Sequence, residues 1–266
     1  MRFISAITAF FLNSAIPVFA EILPDPEVLA ERIGHPPSAV TVYEPHLFTT
    51  AASARRTYLG WRFSDVALIL FGSNWRSQGD TVEFRALDGY VSRVAMSDFL
   101  AHSAWLTIGL RDGGEFTIDN LLQNETGIPL GPYYLVWENI EDRAIFARGA
   151  SIWPYQVDEI LTVTLSTTAL LPEGLDPTVA GGAEIARAYC LNCHMLNGFG
   201  GDKVEGDLAA LTTAFDADDF RAWVLYPSLR NPNTTMPAIA PLLPEDEREA
   251  LADDLWAYLV AMPRDP

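Results

Sequence analysis

Apolar residues recur at helical spacing along the last part of the chain. Between Pro244 and Met262, leucine, tyrosine and methionine side chains return every three or four positions, which places them on one face of a helix. Acidic residues directly follow Pro244, as is typical of the first turn of a helix. The same reasoning predicts shorter helices over residues 183–189 and 217–226.

The earlier part of the chain has a different pattern, in which β-branched and aromatic residues form runs of strand length. Strands are predicted at Val66–Phe71, Thr81–Phe84 and Tyr133–Trp137. One short helix is predicted over residues 97–105, with Ser97 as its N-cap. The fold class is therefore α+β, with a β-rich mixed region followed by an all-α region.

The first residues have the features of a secretory signal peptide. The basic residue Arg2 precedes an apolar run, and small residues ending at Ala20 precede the expected cleavage position at Glu21. The alternative is an uncleaved membrane anchor. Asn13 and Pro17 interrupt the run, however, and it is short for a span of about 20 residues. We expect an exported, periplasmic protein with no stable membrane insertion after cleavage.

Proline, glycine and small residues between the two patterns indicate a linker. The chain is therefore predicted to consist of a signal peptide, a β-rich domain, a linker and an all-α domain. Their bounds are residues 1–20, 21–165, 166–181 and 182–266.

Composition limits the function classes. The chain has 266 residues and a net charge of −18, from 17 basic and 35 acidic residues. This balance argues against nucleic-acid binding, which requires a basic surface. Lys203 is the only lysine, so a redox partner steered by charge is expected to present a basic face. The alternative is that the acidity serves solubility alone.

The two cysteines of the chain lie in one motif. Cys190-Leu191-Asn192-Cys193-His194 is the C-x-x-C-H signature of covalent c-type haem attachment. On a helix, residues three apart share a face, so two thiols can form thioethers to one haem while His194 faces the iron. A thioredoxin-like pair would need a βαβ context, and a zinc site would need further ligands. A local disulfide would leave the adjacent histidine unexplained.

A second axial ligand for the iron must come from elsewhere in the chain. Met195 is beside His194 and cannot readily reach the opposite face of the ring, and Met262 ends the last helix. Met236 lies in a loop 42 residues after His194, and a His–Met pair is typical of cytochromes c. We predict Met236 as the distal ligand; the alternative is a core methionine.

Residues from Gly182 to Met262 resemble a class I cytochrome c domain. The resemblance rests on the C-x-x-C-H motif and on Gly182 eight residues before it, on the glycines that follow the motif, and on Gly206-Asp207-Leu208, Met236-Pro237 and Trp256-Ala257-Tyr258-Leu259. One departure is that the family's proline, whose carbonyl steadies the proximal histidine, is missing at Gly206-Asp207. Some other carbonyl would have to orient His194.

The earlier region resembles the molybdopterin-binding fold of the sulfite-oxidase type. The resemblance is carried by short segments, which are residues 81–90, 97–99, 131–136 and 153–160. In active members of that family a cysteine binds molybdenum, whereas here no cysteine precedes Cys190. The resemblance therefore implies a domain without molybdenum cofactor, which would dock a partner, cover the haem edge or bind a small molecule. Three histidines have no mutual ligand spacing and are expected to be surface or core residues: His35, His46 and His102.

Together these observations predict an exported monohaem c-type cytochrome that transfers single electrons between periplasmic redox partners. Its β-rich domain would give docking specificity. Two axial ligands leave no open iron position, which favours a carrier over an enzyme. The alternative is a haem-containing oxidoreductase, or its subunit, whose first domain binds substrate or an atypical molybdenum cofactor. A third class is a haem-based sensor or assembly factor in which ligand exchange at Met236 changes docking.

Overall fold

The structure is a computed structural model that describes residues 19–49, 52–146, 148–241 and 243–263. Within these ranges a β-rich region is followed by a mostly helical one. The strands are β1 (Phe19–Ile22), β2 (Ser38–Thr49), β3 (Ala52–Arg62), β4 (Thr81–Ala86), β5 (Val91–Ala95), β6 (Ala104–Leu110), β7 (Thr117–Asn120), β8 (Glu125–Pro129), β9 (Tyr134–Trp137), β10 (Val157–Val163), β11 (Met195–Leu196) and β12 (Phe199–Gly200). The α-helices are α1 (Pro26–Ile33), α2 (Phe63–Phe71), α3 (Met96–Ala101), α4 (Arg143–Phe146), α5 (Gly182–Tyr189), α6 (Leu208–Leu211), α7 (Ala217–Leu225), α8 (Pro227–Arg230) and α9 (Glu245–Ala261).

Two antiparallel four-stranded sheets form the β-rich region. One has the order β1-β10-β4-β5 and the other the order β2-β3-β6-β9, while β7 and β8 form a separate hairpin. Aromatic side chains dominate the core between these elements, because each buries a large apolar area. Four tryptophans are at most 2% exposed: Trp61, Trp75, Trp137 and Trp153.

The predicted strand at Val66–Phe71 is wrong, because this run belongs to helix α2. The helix begins at Phe63 and buries Phe63, Val66, Ala67 and Phe71, which recur at helical spacing. Leu68 and Ile69 are exposed on the opposite side. The apolar run alone does not show this helical spacing, which becomes visible only when Phe63 is included.

The predicted helix over residues 97–105 is only partly right. Helix α3 ends at Ala101, and its N-cap is Ala95 rather than Ser97. Trp105 lies in β6, where it is paired with Arg62 of β3 and with Val136 of β9. Strand pairing on both sides fixes this segment as the interior of a sheet. The strands predicted at Thr81–Phe84 and Tyr133–Trp137 are found as β4 and β9.

The helical region is built around the crossing of α5 and α9. Gly182 permits this crossing, because a Cβ atom there would lie 2.2 Å from the Cβ of Tyr258 and 2.9 Å from the carbonyl oxygen of Asp254. Tyr258 is itself buried and donates a hydrogen bond from its hydroxyl to the carbonyl oxygen of Leu170 at 2.7 Å. The three predicted helices are found as α5, α7 and α9.

Most of the predicted signal peptide, residues 1–18, lies outside the described residues. Phe19 and Ala20 are described and belong to β1, which pairs with β10 from Phe19↔Thr162 to Ile22↔Glu159. This strand spans the predicted cleavage position. Within the described ranges, no helix has the length and apolar character needed to cross a membrane.

Candidate functional site

The C-x-x-C-H motif forms a turn directly after helix α5, not a helical segment as expected. Cys190 is the C-cap of α5, and its N–H donates to the carbonyl oxygen of Ala186 at 2.8 Å. The N–H groups of Cys193 and His194 both donate to the carbonyl oxygen of Cys190, at 3.1 and 2.9 Å. These bonds close one tight turn, so both thiols and the imidazole still come from a single compact loop, the attachment turn (residues 190–194).

The two thiols are free, and the site disfavours their ionised forms. Burial raises the pKa of Cys190 to about 12, with a smaller contribution from Cys193. Burial also raises the pKa of Cys193 to about 11, although Lys203 acts in the opposite direction. Thiols of reactive redox pairs have lowered pKa values. The attachment turn therefore lacks the electrostatics of a thioredoxin-like pair.

The surroundings of His194 suit a metal ligand. Burial lowers the pKa of its imidazole, which favours the neutral ring that metal binding requires. Its Nδ1 atom is buried and has no hydrogen-bond partner in the described part of the chain. A carbonyl replacing that of the family's missing proline was expected at this atom. No such carbonyl is found there among the described residues.

Asp207 holds together the loop that follows the attachment turn. Its Oδ2 accepts a hydrogen bond from the N–H of Asn197 at 2.6 Å, and its Oδ1 accepts one from the N–H of Ala209 at 2.8 Å. The second bond caps helix α6. Strands β11 and β12 pair within this loop, and a Cβ on Gly200 would lie 2.1 Å from the carbonyl oxygen of His194. The loop therefore folds tightly back on the histidine.

Met236 lies in the loop between α8 and α9. Its partly buried side chain contacts the same helical core as Cys190, and its N–H donates to Oγ1 of Thr234 at 3.2 Å. Met195 lies in β11, beside His194, while Met262 is 3% exposed within the helical core. Of the three methionines considered, Met236 alone is on a loop distant in sequence from the attachment turn.

This donor set fits a covalently attached haem c. It offers two unbridged thiols, the imidazole of His194, and a thioether on a separate loop packed against the same core. Imidazole and thioether are the axial ligands of cytochromes c. Across the described ranges, no cluster of three or more histidine, cysteine, aspartate or glutamate side chains forms another candidate metal site.

A buried polar cluster in the β-rich region is not predicted from the sequence. Oε2 of Glu44 accepts a hydrogen bond from the hydroxyl of Tyr58 at 2.6 Å, and Oε1 accepts one from the hydroxyl of Tyr134 at 2.9 Å. Nδ1 of His46 lies 2.8 Å from the same Oε1. Strand alternation is the available signal, because Glu44 and His46 share the inward parity of Val42. Burial raises the pKa of Glu44, but these hydrogen bonds lower the pKa by a larger amount, so the net shift is downward.

The other two histidines are not clustered with His46. His102 pairs with Asp142, with Nδ1 and Oδ2 2.5 Å apart, and His35 is exposed. The three histidines therefore lie in separate places, with His46 buried, His102 half-buried and His35 exposed.

The helical region matches a known family. Residues 177–253 match the family model described as cytochrome c oxidase, cbb3-type, subunit III. These residues form a cytochrome c domain, and the covalent haem predicted at Cys190 and Cys193 is consistent with it. The match covers less than a third of the chain and leaves the β-rich region unassigned. No curated protein matches the chain.

Proposed function

We propose that this chain is an exported carrier of single electrons that binds one covalent haem c. The observation that carries the proposal is a C-x-x-C-H turn inside a region that matches a cytochrome c family model. When bound, haem supplies a one-electron ferrous–ferric couple. Its iron would exchange electrons with redox partners, as a cytochrome c domain implies.

Each site residue has one role in this proposal. Cys190 and Cys193 would hold the haem through thioether bonds. His194 and Met236 would be the two protein ligands of its iron. Two protein ligands leave no coordination position for a substrate, which is why we propose a carrier and not an enzyme. Cys190 and Met236 both pack against the apolar core of the helical region.

Replacement of the candidate methionines tests the distal ligand. Met236→Ala should abolish the weak sulfur-to-iron absorption band of the oxidised protein and allow the reduced protein to bind carbon monoxide. Met195→Leu and Met262→Leu are the matched controls, because they conserve volume at the two other methionines considered. Both controls should retain the band. Retention of the band by Met236→Ala would show that Met236 is not the ligand.

The β-rich region is proposed as a cofactor-free relative of the sulfite-oxidase-type fold that contributes partner specificity. Supporting observations are its two four-stranded sheets and the lack of any cysteine before Cys190. The partner is proposed to present a basic face, because the chain has a net charge of −18. Lys203, which this net charge already includes, is paired, since its Nζ lies 2.9 Å from Oδ2 of Asp88. With the true partner, the electron-transfer rate should fall as salt rises; a flat salt profile would remove the steering argument.

Export to the periplasm is part of the same proposal. It rests on the signal-peptide features of the first residues. Identification of the first residue of the mature protein would test it, with Glu21 as the expected terminus.

A further inference from the structure

The attachment turn is held from outside the helical region by a turn of the β-rich region. This turn, residues 86–91, joins β4 to β5. The N–H of Val91 donates to the carbonyl oxygen of Asn192 at 2.8 Å, and the N–H of Asp202 donates to the carbonyl oxygen of Gly89 at 3.0 Å. Asn192 is inside the C-x-x-C-H motif, and its side-chain amide also donates to the hydroxyl of Tyr90 at 2.7 Å. The β-rich region therefore contacts the segment that carries both thiols.

Gly89 is required for this contact. A Cβ atom at Gly89 would lie 2.3 Å from Oδ1 of Asp202 and 2.7 Å from the backbone nitrogen of Lys203. Its φ angle is +85°, a conformation that favours glycine. Because backbone lies directly opposite, there is no room for a methyl group in the closed contact.

Charged side chains extend the same contact. Nζ of Lys203 lies 2.9 Å from Oδ2 of Asp88 and 4.0 Å from Oε1 of Glu125. The guanidinium of Arg93 lies 4.3 Å from the ring centroid of Phe199. In sequence, Phe199 lies between the attachment turn and α6. Both cations are mostly buried, with side chains 17% and 11% exposed. Partly buried ion pairs are screened less by salt than exposed ones.

The β7–β8 hairpin of the β-rich region contacts the loop that carries Met236. Nδ2 of Asn124 donates to the carbonyl oxygen of Pro232, on the loop that carries Met236, at 3.1 Å. A cleft of about 530 Å³ lies beside this bond, within the size range of small-molecule and cofactor sites. Leu121 and Leu122 line it from the hairpin, and Met236 is among the residues lining it from the helical region. Leu121 is 50% exposed and Leu122 is 40% exposed, so apolar surface faces this cleft without protein contacts that cover it.

We infer that the β-rich region completes the haem site by closing over it. Its residues 86–91 and Arg93 hold the attachment turn, while Leu121 and Leu122 wall the opening on the Met236 side. This inference rests on the proposed function. It adds that reductants reach the site slowly while these contacts are closed, and that opening them controls access.

A single methyl group tests the closure. Gly89→Ala places a methyl group in the contact between residues 86–91 and Lys203 and forces the two segments apart. Gly113→Ala is the matched control, because Gly113 also has a positive φ, +74°, but nothing lies within 4 Å of an added Cβ. Both variants place alanine at a positive φ, and only the first disturbs the contact.

The experiment uses the full-length haem-loaded protein and two readouts. The first is the rate of reduction by excess ascorbate in a stopped-flow instrument, and the second is hydrogen exchange of peptides containing Val91 and Asp202. For Gly89→Ala we expect faster exchange in both peptides and reduction about tenfold faster than for Gly113→Ala, since overpacking of this kind displaces a closed contact. Equal reduction rates with faster exchange would overturn the inference.

A second variant covers the case in which the added methyl group is accommodated or prevents folding. The double change Leu121→Ser and Leu122→Ser removes apolar side chains that are already exposed, so folding should be unaffected. We expect faster reduction here as well, and an unchanged rate would overturn the inference. Failure of the proposed function is distinguishable, because a chain without covalent haem shows no haem-stained band after denaturing electrophoresis and would overturn both.

Discussion

Replacement of Gly182 by alanine should destabilise the helical region by disturbing the crossing of α5 and α9. The added Cβ would lie 2.2 Å from the Cβ of Tyr258, where ordinary contacts are 3.4–4 Å, and the carbonyl oxygen of Asp254 lies 2.9 Å away. The helices must therefore separate by more than a side-chain rotation can provide. Helix α5 leads directly into Cys190, so the change should also loosen the attachment turn.

The expected magnitude is a loss of about 2 kcal/mol in the free energy of unfolding. Overpacking costs about 1–3 kcal/mol, while exchange of glycine for alanine in a helix returns at most about 1 kcal/mol. The offset should be small here, because Gly182 is the first residue of α5. Gly181→Ala is the matched control: nothing lies within 4 Å of its added Cβ, and its φ of −58° suits alanine. We expect the control to change stability by less than about 0.5 kcal/mol.

Urea unfolding followed by far-ultraviolet circular dichroism measures both variants. Comparison requires equal m-values, so that midpoint differences report stability. A midpoint for Gly182→Ala clearly below that of Gly181→Ala is expected. Equal midpoints would refute the claim that α5 and α9 cross in contact at Gly182.

Further predictions concern polar groups of both regions. Because the pKa of Glu44 is lowered from its ordinary value of 4.5, its stabilising contribution should be complete above pH 4.5 and be lost as the pH falls through the lower folded value. Thermal unfolding followed by tryptophan fluorescence should show this loss. In Glu44→Gln this acid dependence should disappear and stability should fall by about 2 kcal/mol, since three polar partners lose a carboxylate. Asp207→Ala removes the cap of α6 and the bond to Asn197, and should cost about 1–2 kcal/mol in urea unfolding, whereas Asp218→Ala, at an exposed acid of α7, should cost far less.

The sequence predicts best where local chemistry decides the structure. The C-x-x-C-H spacing and the periodicity of α9 are local signals, and the cytochrome c region followed from them. Val66–Phe71 was ambiguous because an apolar run suits a buried strand or a helix equally. The element begins at Phe63, and with Phe63 included its buried residues recur at helical spacing, which identifies a helix.

Contacts between segments that are distant in sequence cannot be predicted from local patterns. Val91 and Asn192 are separated by about one hundred residues, and no local pattern indicates that their backbones meet. Likewise Lys203 is visible as the only lysine, but its pairing with Asp88 is a property of the folded chain. Because Glu44 is charged, its residue type does not predict burial. The alternation of buried positions along β2, continued past Val42, is what indicates it.

Iron and molybdenum per chain, measured on protein purified from its native host, would test whether this chain carries one covalent haem c and no other redox metal. Elemental analysis should be combined with haem staining after denaturing electrophoresis, and Cys190→Ala with Cys193→Ala should abolish the stain. We predict one iron per chain, a stained band and no molybdenum. Stoichiometric molybdenum would contradict this prediction and indicate a self-contained oxidoreductase, and absence of iron would contradict the haem site itself.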